Sequence, residues 1–280
     1  MATLAENRYG KSQVRLARVK RHANRNEFQE WTVQILLRGD FESSYTEGDN
    51  SKVLPTDTMK NTVYSVARNS QAASMEAFAK ELIDFLLSRN NQVNNAEISV
   101  AEKAWEPLNV SGAAHPTAFV LASSEFQTTK VSRAQRAQFS VTSGLDDLVI
   151  LKTADSAFEG YMHDSLTSLP ETSDRLLGTA LRANWTYSAA DLDFCAKRKS
   201  IRENLLRAFA MHRSKSVQHT LYAMAEDVLK NVPEIQEIEL VMPNKHYLLA
   251  DLSRFGQDNP NKIFVPTAEP YGYIEARIRR

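Results

Sequence analysis

Three short stretches of the 280-residue chain crowd together side chains of the kinds that bind polar ligands or carry protons. "RYGKSQV" places Lys11 at the mouth of a strand, "PTDT" supplies Thr56 and Asp57, and "PNKHY" (243–247) puts amide, amine and imidazole just after a strand. Each has a plainer reading by itself. A lysine before a strand usually faces solvent, "PTDT" suits a helix cap, and "PNKHY" suits a turn. The wider stretch "VLPTDTMKNTVYSV" (53–66) runs from a proline into Met59, Val63 and Val66, with Ala67 next, at helical spacing. Its oxygens either cap that helix start or face a ligand.

Several common chemistries have no sequence signature here. The nine glycines form neither GxGxxG nor GxxxxGK[ST], and HExxH and GxSxG are absent. The six histidines (22, 115, 163, 212, 219, 246) are scattered, without the tight spacing of ligands on one helix or strand, so no metal is expected. Cys195 is the only cysteine, which excludes an intrachain disulfide and a cysteine-rich metal site. Beside Phe194 it reads as a small core residue.

The elements that must position these residues are legible from periodicity. In "SMEAFAKELIDFLLS", Met75, Phe78, Ala79, Leu82, Ile83 and Leu86 line one helical face. Val217, Leu221, Met224, Ala225 and Val228 do so in "VQHTLYAMAEDVL". A further helix is expected to open at Ser200, with Glu203 completing a capping box, and to continue through Ile201, Leu205, Ala208 and Phe209. Strands are expected at "WTVQILL" and "YIEARI" by alternation, and at "QVRLARV", "AEISVAE", "TAFVLAS", "AQFSVTS", "DLVILK" and "EIELVM". In order, these give two strands, two helices and two strands, twice over. The reading is an α+β chain of two ββααββ modules, 1–135 and 136–280, each an antiparallel sheet with its helices on one face. Exposed sheet edges would be covered if several modules closed into a barrel.

Composition narrows the function classes. Hydrophobic residues make up 42% and charged residues 24%, which fits an ordinary globular chain, and 34 basic residues balance 34 acidic ones. The molecule therefore has no overall field to gather polyanions, and no nucleic-acid partner is expected. The basic runs "RVKRHANR" (18–25) and "KRKSIR" (197–202) lack interleaved aromatics and read as a solvated hairpin tip and a solvated helix start. No signal-like or membrane-length apolar run occurs, and the C-terminal "EARIRR" carries no peroxisomal address of the Ser-Lys-Leu type. A soluble, cytoplasmic, bacterial setting is expected.

"RYGKSQVRLARV", "LPTDTMKNTVYSVA", "DSAFEGYMHDSLTSLPETSDRLLGTALRANWTY", "SVQHTLYAMAEDVL" and "MPNKHYLLADL" resemble the urate oxidase (uricase) family, bacterial type, from residue 8 to about 252. The resemblance implies tandem tunnelling-fold modules assembled as a homotetramer with sites at subunit interfaces. It also implies cofactor-free, metal-free oxidation of urate by O2 to 5-hydroxyisourate and hydrogen peroxide. Urate is a flat anion that must lose a further proton before it can give electrons to O2, so a base is needed. The resemblance assigns that work to Lys11, hydrogen-bonded to Thr56, with His246 as a further relay member; a lysine can serve only where its surroundings disfavour its proton. It assigns Arg175 and Gln218 to the purine's polar edges, Val217 to a backbone contact, Phe158 to stacking and Asn244 to the oxygen or water above the ring. Asp57 or Thr58 is then expected to cap the helix, while Thr56 and the Asp57 backbone face the substrate.

Two other functions fit the same architecture. One is another tunnelling-fold enzyme of purines or pterins, such as a cyclohydrolase, which would need a buried glutamate and often zinc ligands. The other is a purine-binding protein without activity, against which Lys11, Thr56 and His246 argue.

Overall fold

The computed structural model describes residues 2–280 and divides into two compact units. The first runs to Gly144 and includes Thr186–Cys195; the second comprises Leu145–Trp185 and Ala196–Arg280.

In the first unit, β1 (Tyr9–Arg21), β2 (Asn26–Gly39), β3 (Val93–Val110) and β4 (Ala113–Ala134) form an antiparallel sheet in chain order. Between β2 and β3 come a short α1 (Glu42–Thr46), then α2 (Thr56–Asn69) and α3 (Met75–Arg89). The alternation in β2 drives Trp31, Val33, Ile35 and Leu37 entirely out of solvent. The apolar stripe of α3 is buried in full, and Phe78 packs on the Trp31 ring at 4.9 Å between centroids. Burying one such large side chain stabilises the fold by about 1.5–3 kcal/mol, and this core contains more than a dozen. The "RVKRHANR" run is the β1–β2 hairpin tip, closed by a bond from the His22 amide to the Arg25 carbonyl.

The second unit contains the rest of β5 (Ser140–Lys152), most of β6 (Leu177–Tyr187) and of α4 (Phe194–Met211), then α5 (Val217–Asn231), β7 (Ile235–Val241), β8 (Asn244–Leu249), β9 (Phe264–Gly272) and β10 (Glu275–Arg279). Its strand order β5-β6-β7-β10 repeats that of the first unit. Here too α5 buries its predicted stripe, and it lies against β7 and β10. The β8–β9 hairpin interrupts the repeat between β7 and β10.

Four expectations are corrected. "AQFSVTS" and "DLVILK" are one strand, because the Gly144-Leu145-Asp146 segment between them does not turn the chain. Asp147 takes φ 55°, bonds its amide to Asp146 Oδ1 at 2.8 Å, and the strand continues. The second strand of that half is β6, which the sequence reading passed over. The expected helix start at Ser200 lies inside α4, where the Ser200 carbonyl accepts from Asn204 Nδ2 at 2.7 Å. The helix begins six residues earlier, at Phe194, whose buried ring meets Tyr187 edge-on at 5.1 Å. Cys195 is exposed rather than a core residue. Among the described residues, no helix is long and apolar enough to cross a membrane, and no cluster of three His, Cys, Asp or Glu side chains is placed to hold a metal.

Candidate active site

Lys11 sits at an irregularity in β1. It pairs with Ile35, and the next pair is Val14 with Val33, so Ser12 and Gln13 together face Gln34 alone. This is a β-bulge: Gln13 adopts φ 57°, and Gln34 Nε2 donates to Ser12 Oγ at 2.6 Å across it. Paired residues of an antiparallel sheet share a face. Tyr9, Lys11 and Val14 therefore lie on the face of Leu37, Ile35 and Val33, which is the buried, helix-covered one. Gly10 allows β1 to close on β2 here, since a Cβ would fall 1.7 Å from the Ile35 carbonyl oxygen.

The head of α2 comes close to this strand. Tyr9 Oη accepts from the Leu54 amide at 2.8 Å and lies 3.1 Å from the Leu54 carbonyl, to which it donates. Two residues further on is Thr56. The expected cap by Asp57 or Thr58 is not formed, because the N-cap residue is Pro55, which has no polar side chain to offer. The Asp57 carboxylate instead turns along its own helix, to Lys60 Nζ at 2.5 Å and Asn61 Nδ2 at 3.0 Å. That hydrogen bond and the Lys60 charge hold it below the usual carboxylate range, with a smaller contribution from the charge of Lys11. The first-turn amides of α2 thus carry no side-chain cap, an arrangement that suits an anionic oxygen.

In the second unit, Phe158, Arg175, Asn244 and His246 line one cavity of about 690 Å³, together with Thr172 and Phe264. Backbone pairing builds its wall: Phe158 and Thr172 exchange amide bonds of 2.8 and 3.1 Å, and the Arg175 amide donates to the Ser156 carbonyl at 2.7 Å. The Arg175 guanidinium carbon lies 5.1 Å from the Phe158 ring centroid, and Tyr161 stacks on the same ring at 4.6 Å. Burial pulls the Arg175 pKa below its ordinary value. Its Nε is buried without a hydrogen-bond partner among the described residues, an unmet donor that costs about 1–3 kcal/mol until something accepts from it.

Asn244 and His246 stand on β8 at another register break: Asn244 pairs with Gly272 but His246 pairs with Thr267. Gly178 on β6 lets β8 lie close, for a Cβ there would come 2.7 Å from the Tyr247 ring. Val217 and Gln218 do not line this cavity but are tied to it. Ser156 bridges Ser214, whose Oγ donates to the Ser216 carbonyl at 3.0 Å, and Ser216 caps α5 by accepting from the His219 amide. Val217 is buried at that helix start and Gln218 is exposed.

One feature of this region had no counterpart in the sequence reading. His212 and His219 bracket the α4–α5 connection with ring nitrogens 3.2 Å apart. Burial first, then the charges of His219 and Lys152, lower the His212 pKa. Seven residues apart across a loop, the two histidines carry no pattern that would have announced their contact.

The family model "Uricase" matches residues 7–132 and 141–275, spans that contain every candidate residue above. The chain is 40% identical to a uricase of Arthrobacter globiformis over 99% of this chain and 90% of that protein. It is 38% identical to a uricase of Dictyostelium discoideum over 100% and 98% respectively. The crystal structure of the Arthrobacter globiformis protein superposes with a TM-score of 0.95, covering 100% of this chain and 96% of that one. A Bacillus sp. TB-90 urate oxidase, 22% identical, matches the fold with a TM-score of 0.86 over 98% of this chain and 99% of its own.

Proposed function

This chain belongs to the uricase family, a tunnelling-fold urate oxidase, and from that premise we propose how it handles its substrate. The reaction joins urate, O2 and water to give 5-hydroxyisourate and hydrogen peroxide: urate loses two electrons, O2 gains them, and the oxygen of water enters the ring. Lys11 takes a proton from bound urate, the Thr56 hydroxyl passes it on because it can donate and accept at once, and His246 extends the relay. The uncapped amides of Thr56 and Asp57 receive an anionic edge of the purine. Arg175 and Gln218 hold other polar edges, the Val217 backbone adds a contact, Phe158 stacks on the ring, and Asn244 orients oxygen or water above it.

The observation that carries the reading is the Arg175 side chain. It is half-buried, lies over Phe158, has an unmet donor, and shares one cavity wall with Asn244 and His246. A carbonyl-rich planar anion satisfies such a group.

We propose further that the two modules meet at residues 135 and 136, that the protein works in the cytoplasm, and that it is a homotetramer whose modules close into a barrel. Each site would take Lys11, Thr56 and Asp57 from one subunit and Arg175 and Gln218 from its neighbour.

Incubating the purified protein with urate in air should remove the near-ultraviolet absorbance of urate with matching production of peroxide. Urate consumed without peroxide would overturn the proposed electron acceptor. The same rate should survive exhaustive chelation and dialysis. An inactive dialysed protein revived by an added metal or flavin would show that this site does not work without a cofactor.

A further inference from the structure

We infer that Tyr9 is a positioning residue for the proton relay, its hydroxyl setting the separation between Lys11 on β1 and Thr56 at the head of α2. This rests on the roles proposed above for Lys11 and Thr56. Tyr9 and Lys11 are two residues apart on the same face of β1, opposite Leu37 and Ile35. The Tyr9 hydroxyl engages both the amide and the carbonyl of Leu54, so it fixes the orientation of that peptide as well as its distance. From Leu54 the chain reaches Thr56 through Pro55 alone, whose ring locks φ near its value of −56°. Strand, clamp, proline and helix head thus form a short lever with few soft torsions. The clamp itself is braced, because Tyr9 meets the fully buried Phe41 edge-on at 4.7 Å and 88°.

The helix head has no side-chain cap of its own. Its N-cap residue makes no side-chain bond, whereas Ser74 and Ser216 secure α3 and α5 in that way. Proton transfer requires heavy atoms within about 2.6–3.2 Å, and a misplacement of about 1 Å can cost 10²-fold in rate. A clamp that holds Leu54 to β1 therefore acts on the chemical step more than on ligand affinity.

The test compares four variants with the full-length enzyme. Tyr9→Phe should lower kcat for urate by about tenfold, change KM by less than about threefold, and displace the kcat–pH profile. Pro55→Gly, which keeps the hydroxyl but loosens the lever, should displace the profile in the same direction with a smaller fall in kcat. It serves in place of Tyr9→Phe if that variant does not fold. Ser74→Ala, which removes the cap of α3 in the same unit, should lower the melting temperature without altering the profile. Wild-type kcat and pH profile in Tyr9→Phe, with Lys11→Met inactive, overturns the inference and leaves the relay standing. A fall in kcat that merely tracks lost stability in both Tyr9→Phe and Ser74→Ala also overturns it. Full activity in Lys11→Met shows instead that the relay assignment itself is wrong.

Discussion

Replacing Lys11 with methionine should lower kcat for urate by about 10²-fold or more, while a non-oxidisable purine analogue binds within about threefold of its normal affinity. Methionine keeps the length and apolar stem of lysine and removes only the amine, so the bulge at Ser12 and Gln13 and the pairing with Ile35 have no reason to change. What is lost is the group that can take a proton and lies close enough to the head of α2 for its charge to act on Asp57. In the proposed site, binding rests on other residues: the α2 amides, Gln218, and Arg175, which lines the cavity of the second unit. Rate and affinity should therefore separate. Stopped-flow turnover and calorimetric titration of the analogue, run on the same preparations, measure the two quantities. If analogue affinity collapses in proportion to kcat, Lys11 is a binding group and the relay assignment is wrong.

Subunits carrying Thr56→Ala and subunits carrying Arg175→Ala should each be nearly inactive, yet regain activity when dissociated, mixed and reassociated. On the proposed role of Arg175, Arg175→Ala removes a charge-assisted hydrogen bond worth about 1.5–3 kcal/mol, which corresponds to roughly 10- to 150-fold in urate affinity. Thr56→Ala removes the hydroxyl proposed for the relay. If each site draws Thr56 from one chain and Arg175 from its neighbour, random mixing in equal amounts leaves roughly a quarter of the sites with neither lesion. Another quarter carry both. Activity of the mixture should then rise well above that of either parent, and native mass spectrometry can show that mixed assemblies have formed. Mixed tetramers as inactive as the parents would mean that each site is built within one chain.

The elements with strong periodicity were legible in the sequence. The stripes of α3 and α5 and the alternation of β2 became buried faces as their spacing required, because apolar burial follows periodicity directly. Polar residues were misleading where their local chemistry has two uses. Separate strands were expected on either side of Gly144-Leu145-Asp146, yet Asp147 supplies a left-handed residue inside one continuous strand. Asp57 resembles a helix cap, yet it pairs with Lys60 while a proline stands at the cap. β6 was missed because its inward positions include Thr179 and Ala183, which give a weak apolar signal. Of the proposed site residues, Arg175 and Gln218 had no pattern of their own and rest on the family resemblance alone. The contacts that distinguish Arg175, its burial over Phe158 and its unmet Nε, come from a backbone bridge between distant residues.

The bulge in β1 makes the address of Lys11 a matter of counting. Were the strand regular, a residue three places before Val14 would point to the opposite face, and Tyr9 and Lys11 would leave the helix side together. The identity of the amine and its availability are therefore separable properties. A neighbouring change that disfavours the left-handed backbone at Gln13 could straighten the strand and silence the lysine without touching it. In surveys of related chains, a conserved letter at this column is incomplete evidence of a working enzyme. The spacing between that letter and the first buried valine carries the other half of the message.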